Sequence, residues 1–149
     1  MTHQTSSMTF GWREWVSLPD LGVNQIKAKI DTGARSSALH AFFIKRFTNE
    51  GTPWVRFGLH PIQLDTKVEL ICAAPIIDER SVRDSGGNAR NRIFIKTLIK
   101  IGEHEKLIEV NVVPRENMRF RMLLGRTALR HWATVDPSRS YLIGKPPQA

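Results

Sequence analysis

In the stretch AKIDTGARSSALHA, residues 28–41, Asp31 follows an alternating Ala28/Ile30 strand pattern and stands directly before Thr32 and Gly33. A carboxylate at the end of a half-buried strand is costly unless hydrogen bonds or a reaction use it. Asp and Gly are also ordinary turn formers, so a lone Asp-x-Gly can be no more than a bend. Beside a second carboxylate a few ångströms away, the same residue becomes an acid–base couple. The two groups then share one proton, because both cannot comfortably ionise side by side.

A second Asp-x-Gly occurs in DSGG, which begins at Asp84 and ends at Gly87. It follows the polar RSVR instead of an apolar strand, and a turn at a hairpin tip explains its composition. Other chemistries find less support. His3, His40, His60, His104 and His131 are scattered, Cys72 is single, and no H-E-x-x-H pair places two imidazoles on one helical face, so no metal is expected. No G-x-x-x-x-G-K-[ST] loop is present to cradle a nucleotide, and no cofactor is expected.

The elements that must position Asp31 read as β. Apolar residues mostly recur with period two in short segments. WREWVSL and VNQIKAKI flank the turn PDLG, and HAFFIKRF and TPWVRFGL flank NEG, giving two hairpins. VELICAAPII and RIFIKTLIKI enclose the polar DERSVRDSGGNARN, which suggests two long strands joined by a mobile basic tip. KLIEVNVV adds a further strand, and GRTALRHW is the one plausible short helix, with Ala128, Leu129 and Trp132 at helical spacing.

At 149 residues with 41% hydrophobic content, the chain suits one domain that buries roughly 70% of its unfolded surface. No apolar run of about 18 residues is long enough to span a bilayer, and the start MTHQTSSM lacks the pattern of a secretion signal. A soluble, cytoplasmic protein with no membrane partner is expected, and the unpaired Cys72 agrees with a reducing compartment. The formal charge of +8 is concentrated. Arg80, Arg83, Arg90 and Arg92 stand against Asp84 alone within 80–92, and five arginines stand against Glu116 within 115–130. Arginine's planar fork suits carboxylate or phosphate, so an anionic partner follows: nucleic acid, an acidic peptide or a membrane surface.

The string Asp-Thr-Gly-Ala after an apolar strand, with MLLGRTAL (residues 122–129) far downstream, resembles the retropepsin-like aspartic peptidases over residues 11–143. KIDTGARSSALHA, DERSVRDSGGNARNR and MLLGR together are similar to the RimB group, which also carries the label ATP-dependent zinc protease. The resemblance implies a mainly β, retropepsin-like (acid protease) closed β-barrel with one short C-terminal helix, acting as a homodimer. A flexible N-terminus (1–10) and a C-terminal tail (144–149) would flank the peptidase domain. It implies an endopeptidase specific for α-linked glutamate, trimming oligoglutamate tails from the ribosomal protein RpsF, with a functional link to the ligase RimK.

One Asp-Thr-Gly supplies one carboxylate. A two-fold homodimer places the same residue twice around its axis, so the second should be Asp31 of another copy. The C-terminal ATVDPSRSYLIG would supply part of that interface. The resemblance assigns catalysis to Asp31, Thr32 and Gly33, with the Thr32 hydroxyl and the Gly33 amide fixing the carboxylate. Support from behind falls to Leu123, Leu124, Gly125 and Arg126, the last bracing the loop. Substrate binding is assigned to Ala34, His40, Arg80, Arg83, Ser85, Gly87, Arg90 and Arg92, with the 80–92 tip closing over the peptide. Ala34 offers the carboxylate pair no hydroxyl where Ser or Thr would, so the expected pH optimum lies nearer neutrality. His40 is equally readable as a hydrogen-bonded structural histidine. The alternatives are a basic module that binds nucleic acid or ribosomes without catalysis, and a peptidase for another acidic peptide.

Overall fold

The computed structural model describes residues 8–63, 65–83, 86–114 and 119–145. Among these the protein is mainly β, with twelve strands and one short α-helix. In chain order the strands are β1 (Met8–Gly11), β2 (Arg13–Leu18), β3 (Val23–Ile30), β4 (Ser37–Ala41), β5 (Phe43–Asn49) and β6 (Thr52–Leu59). There follow β7 (Leu70–Pro75), β8 (Asp78–Arg83), β9 (Ala89–Ile101), β10 (His104–Pro114) and β11 (Met122–Leu124). The helix α1 (Arg126–Leu129) precedes β12 (Ala133–Asp136).

Seven strands form the principal sheet in the order β10-β4-β11-β3-β2-β9-β8, and β9 also pairs with β10, so six of them close into a ring of hydrogen-bonded neighbours. Alternation drives this arrangement. Along β3, Val23, Ile26, Ala28 and Ile30 are buried while Asn24 and Lys29 are exposed, the signature of a strand with one face on a core. Inside lie Val16, Leu18, Ile26, Leu39, Ile95, Ile99, Val110 and Met122, each no more than 1% exposed. Fully burying an aliphatic side chain of this size stabilises the fold by about 1.5–3 kcal/mol, before the entropic cost of ordering it.

The first expected hairpin is β2–β3, turned by a 3-10 segment at Pro19–Leu21. The second is β5–β6, where Glu50 (φ 51°) and Gly51 (φ 79°) both adopt the left-handed backbone that a two-residue hairpin turn requires. β7 extends this hairpin into a separate three-stranded sheet, β5-β6-β7.

Several expectations are corrected. The strand of the 68–77 segment, β7, pairs with β6 rather than β9, which the segment meets at Ile77, whose amide donates to the Phe94 carbonyl (2.9 Å); the hairpin partner of β9 is β8, the segment expected to be a polar tip. β8 is exposed at every position except the half-buried Val82, so its sequence carries no burial alternation to reveal a strand. His40 and Ala41 belong to β4, not to the strand that starts at Phe43. Met8–Gly11, expected largely within a flexible N-terminus, pairs in parallel with Ala133–Asp136, and Phe10 is fully buried edge-on against Trp132 at 5.5 Å; residues 1–7 lie outside the described residues. The helix is one turn only. Arg130 leaves helical conformation (ψ 130°), and Trp132 reaches the core from the turn beyond it.

The C-terminal segment folds back on its own chain. The buried Glu14 carboxylate accepts hydrogen bonds from the amides of Gly11 (2.7 Å), Leu142 (2.9 Å) and Ile143 (3.2 Å). Trp15 and Tyr141 stack beside it at 5.8 Å.

Candidate active site

β11 threads between β3 and β4, parallel to the first and antiparallel to the second, with Leu124 opposite Ile30 and Leu123 opposite both Lys29 and Ala38. The loop 31–36 leaves β3, passes over the end of β11 and returns as β4. Asp31 therefore sits where three strands converge. Its amide donates to the carbonyl of Leu124 (2.9 Å), and its Oδ1 accepts from the amide of Gly33 (3.0 Å). The side chain is half-buried, while Thr32 and Gly33 are exposed.

The loop is clamped from the other side. Arg126 donates from its guanidinium to the carbonyls of Thr32 (3.1 Å) and Gly33 (3.0 Å), and from its amide to the carbonyl of Ala34 (2.8 Å). Thr127 donates its amide to Arg35 (3.1 Å), and the Gly125 amide donates to the hydroxyl of Ser37 (3.0 Å). A side chain at Gly125 would not fit: its Cβ would fall 2.6 Å from the Ser36 carbonyl oxygen. Thr32 contributes its carbonyl to this clamp, and its hydroxyl has no hydrogen-bond partner among the described residues.

A groove of about 620 Å³ opens beside the loop, walled by Gly33, Ala34, His40, Arg80, Arg83, Arg92, Phe94 and Arg126. Five of the expected substrate-binding residues, Ala34, His40, Arg80, Arg83 and Arg92, thus line one cavity. Arg90 is exposed on β9 outside that lining. Gly87 accepts a hydrogen bond from Arg83 through its carbonyl (2.9 Å). Ser85 and Asp84 lie outside the described residues.

The residues named for substrate binding differ in how their polar groups are engaged. Arg80 bonds Asp78 and Glu109, both at 2.6 Å, and lies over the Phe94 ring at 4.0 Å. The hydrogen bond from Arg80 holds the Asp78 carboxyl below the usual carboxylate range, and the bonds to Glu109 and then Asp78 raise the Arg80 guanidinium above its usual value. His40 is buried, with Nδ1 at 3.0 Å from the Phe120 carbonyl and its amide donating to Arg121. Sequence reading missed Arg35, Ser37 and Asn111. The Asn111 side chain donates to the Ser37 carbonyl (2.7 Å), tying β10 to the start of β4. The signal for Arg35 and Ser37 was their place in the DTGARSS string; Asn111 gave none.

Elsewhere the titratable groups are structural. Burial pushes the Cys72 thiol up to about 11. Burial, and then the nearby Arg130 charge, lowers Lys106, whose ammonium donates to the carbonyls of Ala128 (2.6 Å) and Arg130 (3.1 Å) at the C-terminal end of α1. Among the described residues no three His, Cys, Asp or Glu side chains converge as metal ligands, and no helix is long and apolar enough to cross a membrane.

Comparison with known proteins bears on the family and the fold. A family model described as RimB-like, retropepsin-like aspartic endopeptidase RimB, matches residues 9–146. A Shewanella halifaxensis protein named "Probable alpha-L-glutamate ligase" is 44% identical over 135 residues, covering 91% of this chain and 30% of that protein. One of the same name from Desulfotalea psychrophila is 37% identical over 145 residues, covering 97% of this chain and 31% of its own length. The chain thus spans about 30% of the length of these curated relatives. A crystal structure of a Legionella pneumophila protein of unknown function superposes with a TM-score of 0.76 at 26% identity, covering 93% of this chain and 99% of that one.

Proposed function

The chain belongs to the RimB-like family of retropepsin-like aspartic endopeptidases, and from that membership we propose that it hydrolyses α-linked glutamate tails, using Asp31 from two copies of the chain. The observation that carries this reading is the setting of Asp31. Its carboxylate is fixed by the Gly33 amide on a loop clamped by Arg126, and the next residues of that loop, Gly33 to Ser36, line a groove walled by arginines.

In the proposed reaction one ionised carboxylate removes a proton from a water held between the pair. The protonated carboxyl gives its proton to the scissile carbonyl oxygen as the water oxygen bonds to carbon. The tetrahedral intermediate then collapses: the C–N bond breaks, the leaving nitrogen takes a proton from the first carboxyl, and the second carboxylate takes back the proton of one of the two hydroxyls, leaving a carboxylic acid and the original singly protonated pair. No covalent enzyme intermediate forms. An open groove of about 530 Å³ beside Thr32, where Leu129, Ala133 and Val135 alternate with Arg130, His131 and Thr134, is where a second copy would sit next to the loop.

Two features support glutamate as the substrate. The groove is cationic, and guanidinium forks bind carboxylates bidentately. The matching relatives carry this segment within chains three times as long that are named glutamate ligases, so a hydrolase of the same linkage is a coherent neighbour. The RpsF tail, and a functional link to RimK, follow as the cellular substrate and partner in this reading. Incubating the protein with oligo-α-glutamate and oligo-aspartate, and reading products by mass spectrometry, tests it. Cleavage of the glutamate peptide by wild type and none by Asp31→Asn is expected; an Asp31→Asn protein that still cleaves would overturn it.

A second reading is favoured by one other surface. On the outer face of the β5-β6-β7 sheet, Phe47 and Trp54 pair at 6.0 Å beside exposed Lys45 and Arg56, with no carboxylate in register with them. Aromatic rings flanked by cations can stack single-stranded nucleic acid. Salt-sensitive RNA binding that survives Asp31→Asn and is lost in Trp54→Ala would establish that activity; equal binding by Trp54→Ala would exclude this face.

A further inference from the structure

Beyond the active-site groove lies a second cavity of about 380 Å³, lined by Lys96, Lys106, Leu107 and Glu109, and the two share a wall made of Arg35, Ser36, Arg80 and Phe94. The geometry of β9 links them. Alternate residues of a strand face the same side: Arg92 lines the first groove, Phe94 the wall, and Lys96 the second cavity. Cationic groups therefore recur along one face, with Arg80 lying over the Phe94 ring between the other two.

The charges inside the second cavity are unevenly engaged. Its carboxylate, Glu109, is bonded to Arg80, and the Lys106 ammonium is held by the Ala128 and Arg130 carbonyls. Arg35 and Lys96 are exposed, and neither side chain makes an ion pair or hydrogen bond among the described residues. Arg35 is also four residues beyond Asp31 on the same clamped loop, so its position is tied to the catalytic carboxylate through the Thr127 amide.

We propose that the second cavity is a distal carboxylate subsite, in which Arg35 and Lys96 bind an acidic side chain four residues along an extended peptide from the one facing Arg92. The period carries the argument. An extended peptide lying along β9 repeats its side chains at the same spacing as the strand, about 3.3 Å per residue, so cations four residues apart meet side chains four residues apart. A run of glutamates satisfies both sites at once, whereas a single acidic residue satisfies one. The site thus selects tails over isolated acidic residues. This inference rests on the peptidase reading for its substrate.

The test uses oligo-α-glutamate peptides in which one glutamate at a time is replaced by glutamine. In wild type, replacement at two positions four residues apart should each lower kcat/KM roughly tenfold, the loss expected for one charge-assisted contact. In Lys96→Gln the all-glutamate peptide should lose a similar factor, entering through KM, and the distal replacement should then cost less than about twofold. Arg35→Gln should behave alike. Full retention of the distal penalty in both variants would overturn the subsite while leaving the peptidase reading intact. Should wild type cleave none of the peptides, the peptidase reading fails by itself, and fluorescence anisotropy with labelled oligo-α-glutamate decides the subsite. Roughly tenfold weaker binding by Lys96→Gln supports it; equal binding, or none by wild type, overturns it.

Discussion

The guanidinium of Arg126 donates to the carbonyl oxygen of Gly33 at 3.0 Å, while the amide of Gly33 donates to the Asp31 carboxylate at the same distance. One glycine thus passes the position of an arginine on α1 to a carboxylate on the far side of the loop. Arg126→Ala leaves two carbonyls without their donor and should release the loop. Misplacing a reacting group by about 1 Å costs on the order of 100-fold in rate. The expected outcome is a fall in kcat of about that size on oligo-α-glutamate, with KM changed little. Arg126→Lys should recover only part, because one ammonium does not reproduce the planar fork.

Asp31 occurs once per chain, so the proposed carboxylate pair exists only between chains. Specific activity should then fall on dilution below the dimer dissociation constant. Mixing wild type with an equal amount of Asp31→Asn, after subunit exchange, should place half of the wild-type subunits in mixed pairs and cut activity to about half. Activity per wild-type subunit that stays constant in both titrations would show that one chain is sufficient.

Gly125 is a matter of space, not of backbone conformation. Its φ is −96°, open to any residue, yet a Cβ there would lie 2.6 Å from the Ser36 carbonyl oxygen and 2.9 Å from that of Ala34. Both obstacles are backbone and belong to the loop that carries Asp31. Gly125→Ala should therefore cost about 1–3 kcal/mol by urea denaturation, as overpacked sites do. Activity should fall more than that loss of folded protein accounts for, because the loop carrying Asp31 is what moves.

The loop around Asp31 and the strand behind it were legible in the sequence because their signals are local. An apolar strand ends in Asp-Thr-Gly, an apolar-apolar-Gly strand precedes Arg126, and both motifs lie in short continuous strings. The hairpin containing β8 was not legible. DERSVR is exposed on both faces at the sheet edge, so no hydrophobic alternation marks it, and its pairing with β9 rests on backbone hydrogen bonds that any sequence can make. Arg80 shows the same limit. Composition counts it among the free cations, whereas Asp78, two residues away, and Glu109, on another strand, already engage it. Parallel pairing of β1 with β12 joins residues 125 apart, beyond the reach of any local pattern.

Glu14 tests how the C-terminal segment is held. Its buried carboxylate is the shared acceptor for the amides of Gly11, Leu142 and Ile143. Glu14→Ala would remove the acceptor from all three, and a buried unsatisfied donor costs about 1–3 kcal/mol. Water entering at the partly exposed Leu142 and Ile143 should offset part of this, leaving a loss of about 2–4 kcal/mol in urea denaturation. A larger amide-exchange rate should appear at residues 141–143 first. Unchanged stability would mean that the segment is held by its stacking on Trp15 instead.

The Cys72 thiol supplies a pH test independent of catalysis. Burial raises it from 9.0 to about 11, and its sulfur lies 3.4 Å from the Leu21 carbonyl. A group whose folded value is raised binds its proton more tightly in the native state than in the unfolded one. Its stabilising contribution is complete below pH 9, the unfolded value, and is lost as pH rises through about 11. Denaturation midpoints should therefore decline across that window, and the decline should be shallower in Cys72→Ala, which has no thiol to titrate. At pH 8 the native protein should resist iodoacetamide while the urea-unfolded chain reacts readily, since the thiolate is the nucleophile. Rapid alkylation of the native protein at that pH would show that the loop over β7 opens far more often than its packing against Leu21 implies.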